Sequence, residues 1–146
     1  MVINEMNAKE CAELLSRVSL GRLGCALDSQ PYVVPIYFAY DGSYVYMLST
    51  VGQKIEWMRA NPKVCLQADE VEGEGRWASV VATGQYEELR EPQYTTEVGL
   101  ARKLLAKHLR WWQISMAERQ LKAGDNLIAP MFFRIRVESM SGLRAQ

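Results

Sequence analysis

A chain of 146 residues that is 49% hydrophobic and 23% charged carries enough apolar surface for one ordinary globular domain, 1–146, and is too apolar to be disordered throughout. Lysine plus arginine balance aspartate plus glutamate at 17 each, so no overall basic field draws the molecule to nucleic acid or anionic lipid. The same balance gives copies no reason to repel one another, and a homodimer is expected.

The longest apolar stretch, Tyr32 to Tyr40, contains Pro35 and is about half the ~20 residues of a membrane-spanning helix. The opening residues mix acidic and polar groups where a secretory signal would have a basic end and an apolar run, so the chain is read as cytoplasmic. Cys11, Cys25 and Cys65 are odd in number and form no CxxC pair, which predicts reduced thiols used for packing.

Asn7 is suited to cap a helix in which Cys11, Leu14, Leu15 and Val18 recur at i, i+3, i+4 and i+7. From Gly21 the period drops to two. Leu23, Cys25 and Leu27 alternate with Arg22, Gly24 and Ala26, a strand that runs into the turn Asp28-Ser29-Gln30-Pro31. Tyr32 to Tyr40 is dense in β-branched and aromatic residues, and Asp41-Gly42 supplies a tight turn before Tyr44 to Leu48, which completes a predicted meander of three strands. A short helix with Ile55 and Met58 one turn apart follows Ser49-Thr50-Val51-Gly52 and stops at Asn61-Pro62. Val64 to Ala68 and Ala78 to Gln85 are the next strands, and the acidic, glycine-bearing stretch Asp69 to Arg76 between them is expected as a solvated loop. Beyond Pro92, Val98, Ala101, Leu105 and His108 mark one face of a longer helix with Arg102, Lys103, Lys107 and Arg110 on its others. Trp111-Trp112 through Asn126 shows no clear period, and Phe133, Ile135 and Val137 alternate with Phe132, Arg134 and Arg136 in a last strand, Met131 to Val137. About six strands joined mostly by short turns predict a mainly β fold, an antiparallel barrel with peripheral helices.

Hydrolytic and metal chemistry find little support. His108 is the only histidine, so a His-based metal cluster cannot form within one chain and a Ser-His-Asp triad would depend on that one helical residue. Asp69, Glu70, Glu72 and Glu74, expected on a loop, fix no acid–base geometry, and no catalytic or metal-ligating side chain is assigned. Neither GxxxxGK[ST] nor GxGxxG occurs. One segment does carry a physical argument. In Leu48-Ser49-Thr50-Val51-Gly52-Gln53-Lys54-Ile55 a strand ends in two hydroxyls and a glycine and then opens a helix, so free N–H groups, hydroxyls and an ammonium converge as a phosphate would require. The alternative is a plain helix cap made by Ser49 or Thr50 with Lys54 exposed.

Read in order, Gly21-Arg22-Leu23-Gly24, Pro31 through Gly42, Gly52-Gln53-Lys54-Ile55, Asn61-Pro62-Lys63-Val64-Cys65, Trp77 through Gly84 and Phe133-Arg134-Ile135-Arg136-Val137 form an ordered set. With these motifs the sequence resembles the pyridoxamine 5'-phosphate oxidase-like flavoproteins. The resemblance implies an antiparallel split β-barrel of the FMN-binding type, paired as a homodimer with FMN in clefts between the subunits. It places Val34, Pro35, Ile36 and Tyr37 beside the isoalloxazine ring, offering backbone N–H and C=O groups to its polar edge. It places Ser49, Thr50, Gln53 and Lys54 around the ribityl phosphate, and Trp77 and Ser79 at positions that approach the cofactor.

Departures from the family pattern narrow the implied activity. An arginine expected between Tyr32 and Ile36 is missing, Gln53 stands where an arginine would flank the phosphate lysine, and Met131 to Gln146 holds no match to the family's C-terminal Trp and Arg–x–His groups. These differences point away from vitamin B6 oxidation and toward the small nitroimidazole-resistance-related branch, although Leu48 falls near where many of those proteins place a histidine. The implied activity is an FMN-dependent oxidoreductase acting on a small molecule, in which the flavin moves the electrons. The alternatives are a binding module that holds a flavin or haem without turnover, and an interaction subunit whose aromatic surface only makes a dimer.

Overall fold

A computed structural model describes residues 1–108 and 130–146 of the chain. In chain order its elements are β1 (Ile3–Met6), α1 (Ala8–Arg17), β2 (Leu20–Leu27), β3 (Gln30–Tyr37), β4 (Ala39–Tyr40), β5 (Tyr44–Thr50), α2 (Gln53–Ala60), β6 (Lys63–Gly73), β7 (Arg76–Leu89), α3 (Thr95–His108) and β8 (Pro130–Ala145). The segment Trp111 to Asn126 and Arg110 lie outside the described residues.

Asn7 starts α1 as expected. Its side chain accepts from the Glu10 backbone N–H at 2.9 Å while the Glu10 carboxylate accepts from the Asn7 N–H at 3.1 Å, a closed capping box. The β2–β3 connection is tighter than the expected four residues. Asp28 and Ser29 alone make the turn, both at positive φ, as a twisted two-residue hairpin requires. Pro31 and Pro35 therefore sit inside β3, where they are tolerated because β3 is an edge strand whose outer backbone groups need no ladder partner.

The expected three-strand meander does not form. β5 pairs with β8, not with β3, because the strand predicted from Tyr32 to Tyr40 breaks at Phe38. Its first part pairs with β2 and its second with β5. The resulting order is β3-β2-β6-β7-β8-β5-β4, with β1 added on β8. The first and last strands of that order are separated in sequence only by the fully buried Phe38, so the antiparallel sheet curls until its ends meet, the split barrel.

Two further expectations are corrected. Asp69 to Gly73 continues β6 and Arg76 starts β7, leaving only Glu74-Gly75 as the turn where a solvated loop was expected. β1 was not foreseen, and the last strand runs on to Ala145, since these ends pair with one another and with β7. Eight strands therefore stand where about six were expected.

Leu23, Leu66, Val80 and Ile135 fill the barrel interior, and Leu14 and Leu15 of α1 and Ile55 and Met58 of α2 join the same buried cluster. α3 lies outside the barrel, where Ala101 and Leu105 pack with Ala39, Tyr46, Leu89 and Phe132. Where β7 bulges against β8, only glycine fits at position 84, because a Cβ there would collide with the Arg136 carbonyl oxygen. Along β2, β6 and β7 burial alternates, so Arg22, Gln67, Asp69, Trp77 and Ser79 occupy the outer face, opposite the interior cluster.

Candidate functional site between strand β3 and helix α2

Ser49 and Thr50 end β5, and Gln53 and Lys54 open α2 two residues later. The local order follows from residue type: the β-branched and aromatic run of β5 gives out at Thr50, and Gly52 turns the chain into the helix. The side-chain cap considered for Ser49 or Thr50 does not form. Gly52 is the N-cap with no side-chain hydrogen bond, and the Ser49 hydroxyl instead donates to the Thr50 carbonyl at 3.1 Å. The first N–H groups of α2 thus meet no side-chain cap among the described residues and keep their partial positive charge.

Lys54 is half-buried beside Cys25 and makes no hydrogen bond or ion pair with a described residue. Burial pushes its ammonium down from the ordinary lysine range, and the thiol of Cys25 only partly offsets this. An unpaired, partly desolvated cation at an uncapped helix end is complementary to a phosphate.

The far end of α2 is clamped. Arg59 reaches Glu88 of β7 at 2.6 Å, and the Tyr86 hydroxyl donates to the same carboxylate at 2.7 Å. Trp57 packs on Tyr32 of β3 with ring centroids 5.7 Å apart, and Asn61 donates to the Ala26 carbonyl at 3.0 Å. The Trp57 contact docks α2 against Tyr32, two residues before Val34 on β3.

On β3 the four residues divide by face. Ile36 is buried and Val34 packs on the interior cluster, so each can offer a ligand only its backbone, whereas Pro35 and Tyr37 are exposed on the outer side. The β3 edge away from β2 has no strand partner among the described residues, so its N–H and C=O groups are available. Trp77 and Ser79 are not brought into this group. They lie on β7, three strands from β3 or about 14 Å at the usual spacing, on the same outer face.

Ser79 has neighbours that the sequence reading did not connect to it. Gln67 donates from Nε2 to Asp69 at 2.8 Å and to the Ser79 hydroxyl at 3.0 Å, and Arg22 stands 4.0 Å from Asp69. The only signal in the sequence was the alternation of Gln67 and Asp69 on one strand face, hidden once Asp69 was assigned to a loop.

The model of the family described as pyridoxamine 5'-phosphate oxidase matches residues 7–144. The chain belongs to that family. An uncharacterized protein of Rhizobium meliloti (strain 1021) is 38% identical over 146 residues, 99% of this chain and 97% of that one. The crystal structure of an FAD-binding protein from Mesorhizobium loti is 40% identical and superposes with a TM-score of 0.80 over 100% of this chain and 98% of that chain. The crystal structure of a candidate 5-nitroimidazole antibiotic resistance protein from Bacteroides thetaiotaomicron shares the fold at 18% identity, with a TM-score of 0.70 over 100% and 93% of the two chains. The family and its FAD-binding relative support flavin binding, and the split-barrel architecture is shared with these structures.

Proposed function

We propose that this chain is an FMN-binding flavoprotein that works as an oxidoreductase on a small molecule. The observation that carries the reading is Lys54, a half-buried cation with no partner among the described residues, set at the uncapped N-terminus of α2. Lys54 and the first N–H groups of α2 hold the ribityl phosphate, with Ser49, Thr50 and Gln53 around it. Val34, Pro35, Ile36 and Tyr37 offer the β3 edge to the ring, and pairing of two copies brings Trp77 and Ser79 to it from the outer face. When bound, the flavin supplies the electron chemistry; the chain supplies binding, orientation and exclusion of water.

The fit is chemical as well as positional. An anion at Lys54 replaces solvation that burial has already removed, so the pairing costs little further desolvation. We read the assembly as a homodimer with the cofactor at the subunit interface, because the outer sheet face exposes Leu20, Val33, Tyr37, Val71 and Leu143. Three free cysteines fit a reducing compartment, the cytoplasm, and no described helix is long and apolar enough to cross a membrane.

FAD is the second reading, favoured by the FAD-binding relative from Mesorhizobium loti. FAD contains the ring, ribityl chain and first phosphate of FMN, so the same residues address it. Lys54→Ala removes a charge-assisted contact of about 1.5–3 kcal/mol, roughly ten- to more than a hundred-fold in affinity. Flavin fluorescence titrations of both proteins with FMN and with FAD read this directly, and an unchanged dissociation constant overturns the phosphate placement. Turnover separates the enzyme from a non-catalytic flavin- or haem-binding module: flavin-loaded protein that takes no electrons from NADH, NADPH or dithionite is the latter.

A further inference from the structure

We propose that Gln67 is a positioning residue that fixes the Ser79 hydroxyl as an outward hydrogen-bond donor and sets its own amide oxygen beside it as an acceptor, so that the pair meets a carbonyl and the N–H of the flavin's imide edge. The inference rests on the flavin reading above and adds to it the residue that orients the contact.

The orientation follows from hydrogen-bond accounting. Ser79 lies opposite Asp69 in the β6–β7 ladder, and Gln67 is two residues before Asp69 on the same face. A carboxylate only accepts, so Gln67 turns its NH2 group toward Asp69, 2.8 Å away. The same nitrogen gives its second hydrogen to the Ser79 oxygen at 3.0 Å. Ser79 is thereby an acceptor within the protein, and its hydrogen is left to donate. Among the described residues nothing takes that hydrogen, and nothing donates to the Gln67 amide oxygen. Arg22, 4.0 Å from Asp69, places positive charge on the carboxylate that anchors the row.

The surroundings explain why this row seeks a ligand. Leu23, Leu66, Ala68 and Val80 are buried on the other side of the same strands, so the row belongs to the outer face that also exposes Val33 and Tyr37. When a second copy covers that face, an unmet donor and acceptor would be costly, and a ligand edge that alternates carbonyl and N–H meets both. The flavin imide has that alternation.

The test compares wild-type protein with Gln67→Met, which keeps length but cannot donate, Ser79→Ala, Ser79→Thr, the Gln67→Met/Ser79→Ala double variant and Lys54→Ala. FMN and FAD affinities and the visible spectrum of the bound flavin are measured for each. Gln67→Met and Ser79→Ala are each expected to weaken binding about three- to ten-fold and to shift the flavin bands in the same direction. The double variant should bind no more weakly than Gln67→Met, which already loses both contacts, and Ser79→Thr should retain wild-type values. Wild-type affinity and spectrum in Gln67→Met, or losses that multiply in the double variant, overturn the positioning role. If Lys54→Ala weakens binding while Gln67→Met does not, the flavin reading stands and this inference alone falls. Wild-type protein that binds neither flavin overturns both.

Discussion

At the residue scale, the proposed phosphate contact makes flavin binding depend on pH in two places, one set by Lys54 and one by the phosphate. Burial lowers its pKa in the flavin-free protein, and a bound phosphate raises it again, so binding takes up a proton where free Lys54 is neutral. Affinity is therefore full below the free-state pKa of Lys54 and falls as pH rises through it. The acid side distinguishes the cofactors. FMN ends in a phosphomonoester with a second pKa of about 6, so its affinity should fall below that pH. The diphosphate of FAD has no such step, and its affinity should stay level there. Titrations of both flavins between pH 5 and the alkaline limit of stability check this; parallel curves in the acid range would count against a phosphomonoester at Lys54.

At the scale of elements, the site depends on how α2 is held. Burial pushes the Glu88 carboxyl up, but hydrogen bonds from Arg59, Tyr86 and Arg90 outweigh this and hold it below the usual carboxylate range. A depressed folded pKa contributes stability above the unfolded value, about 4.3, and loses it as pH falls through the folded one. Arg59→Ala should cost about 1 kcal/mol at neutral pH, a drop in Tm of roughly 3 °C, with the difference from wild type shrinking below about pH 4. A constant difference down to acid pH, read by thermal melts, would mean that the clamp is not ionic.

The same elements show what the sequence made legible. α1, α2 and α3 were all visible, because an Asn N-cap, an Asn-Pro stop and a 3.6-residue period are local signals. The acidic half of β6 was not, because the partners that hold Asp69 and Glu70 there are distant in sequence: Arg22 for one, Arg17 for the other. β1 was hidden for a related reason: among the described residues it pairs with Gly142 to Ala145, at the opposite end of the chain. In the candidate site, the phosphate segment was readable as residue types in order. The absence of a cap from Ser49 or Thr50 and the Gln67–Ser79 contact were set by geometry that no local pattern encodes.

For the whole molecule, the proposed pairing of copies is what would complete the proposed cofactor site. The interior of the barrel is filled by one cluster and α3 covers a second, yet the outer face of β3, β2, β6 and β7 keeps Val33 at 64% and Tyr37 at 45% exposure. A two-fold pairing through that face would bury these side chains and close the gap that separates Trp77 and Ser79 from the β3 edge. Tyr37→Glu places a charge where that interface would form, and sizing chromatography should then shift toward monomer with flavin retention lost in parallel. A variant that stays dimeric would place the interface elsewhere.

The most direct measurement is the visible spectrum of freshly purified protein, taken before and after incubation with FMN or FAD and passage through a sizing column. Flavin bands that travel with a dimer are the predicted result. A colourless protein that carries neither flavin through the column would contradict the account.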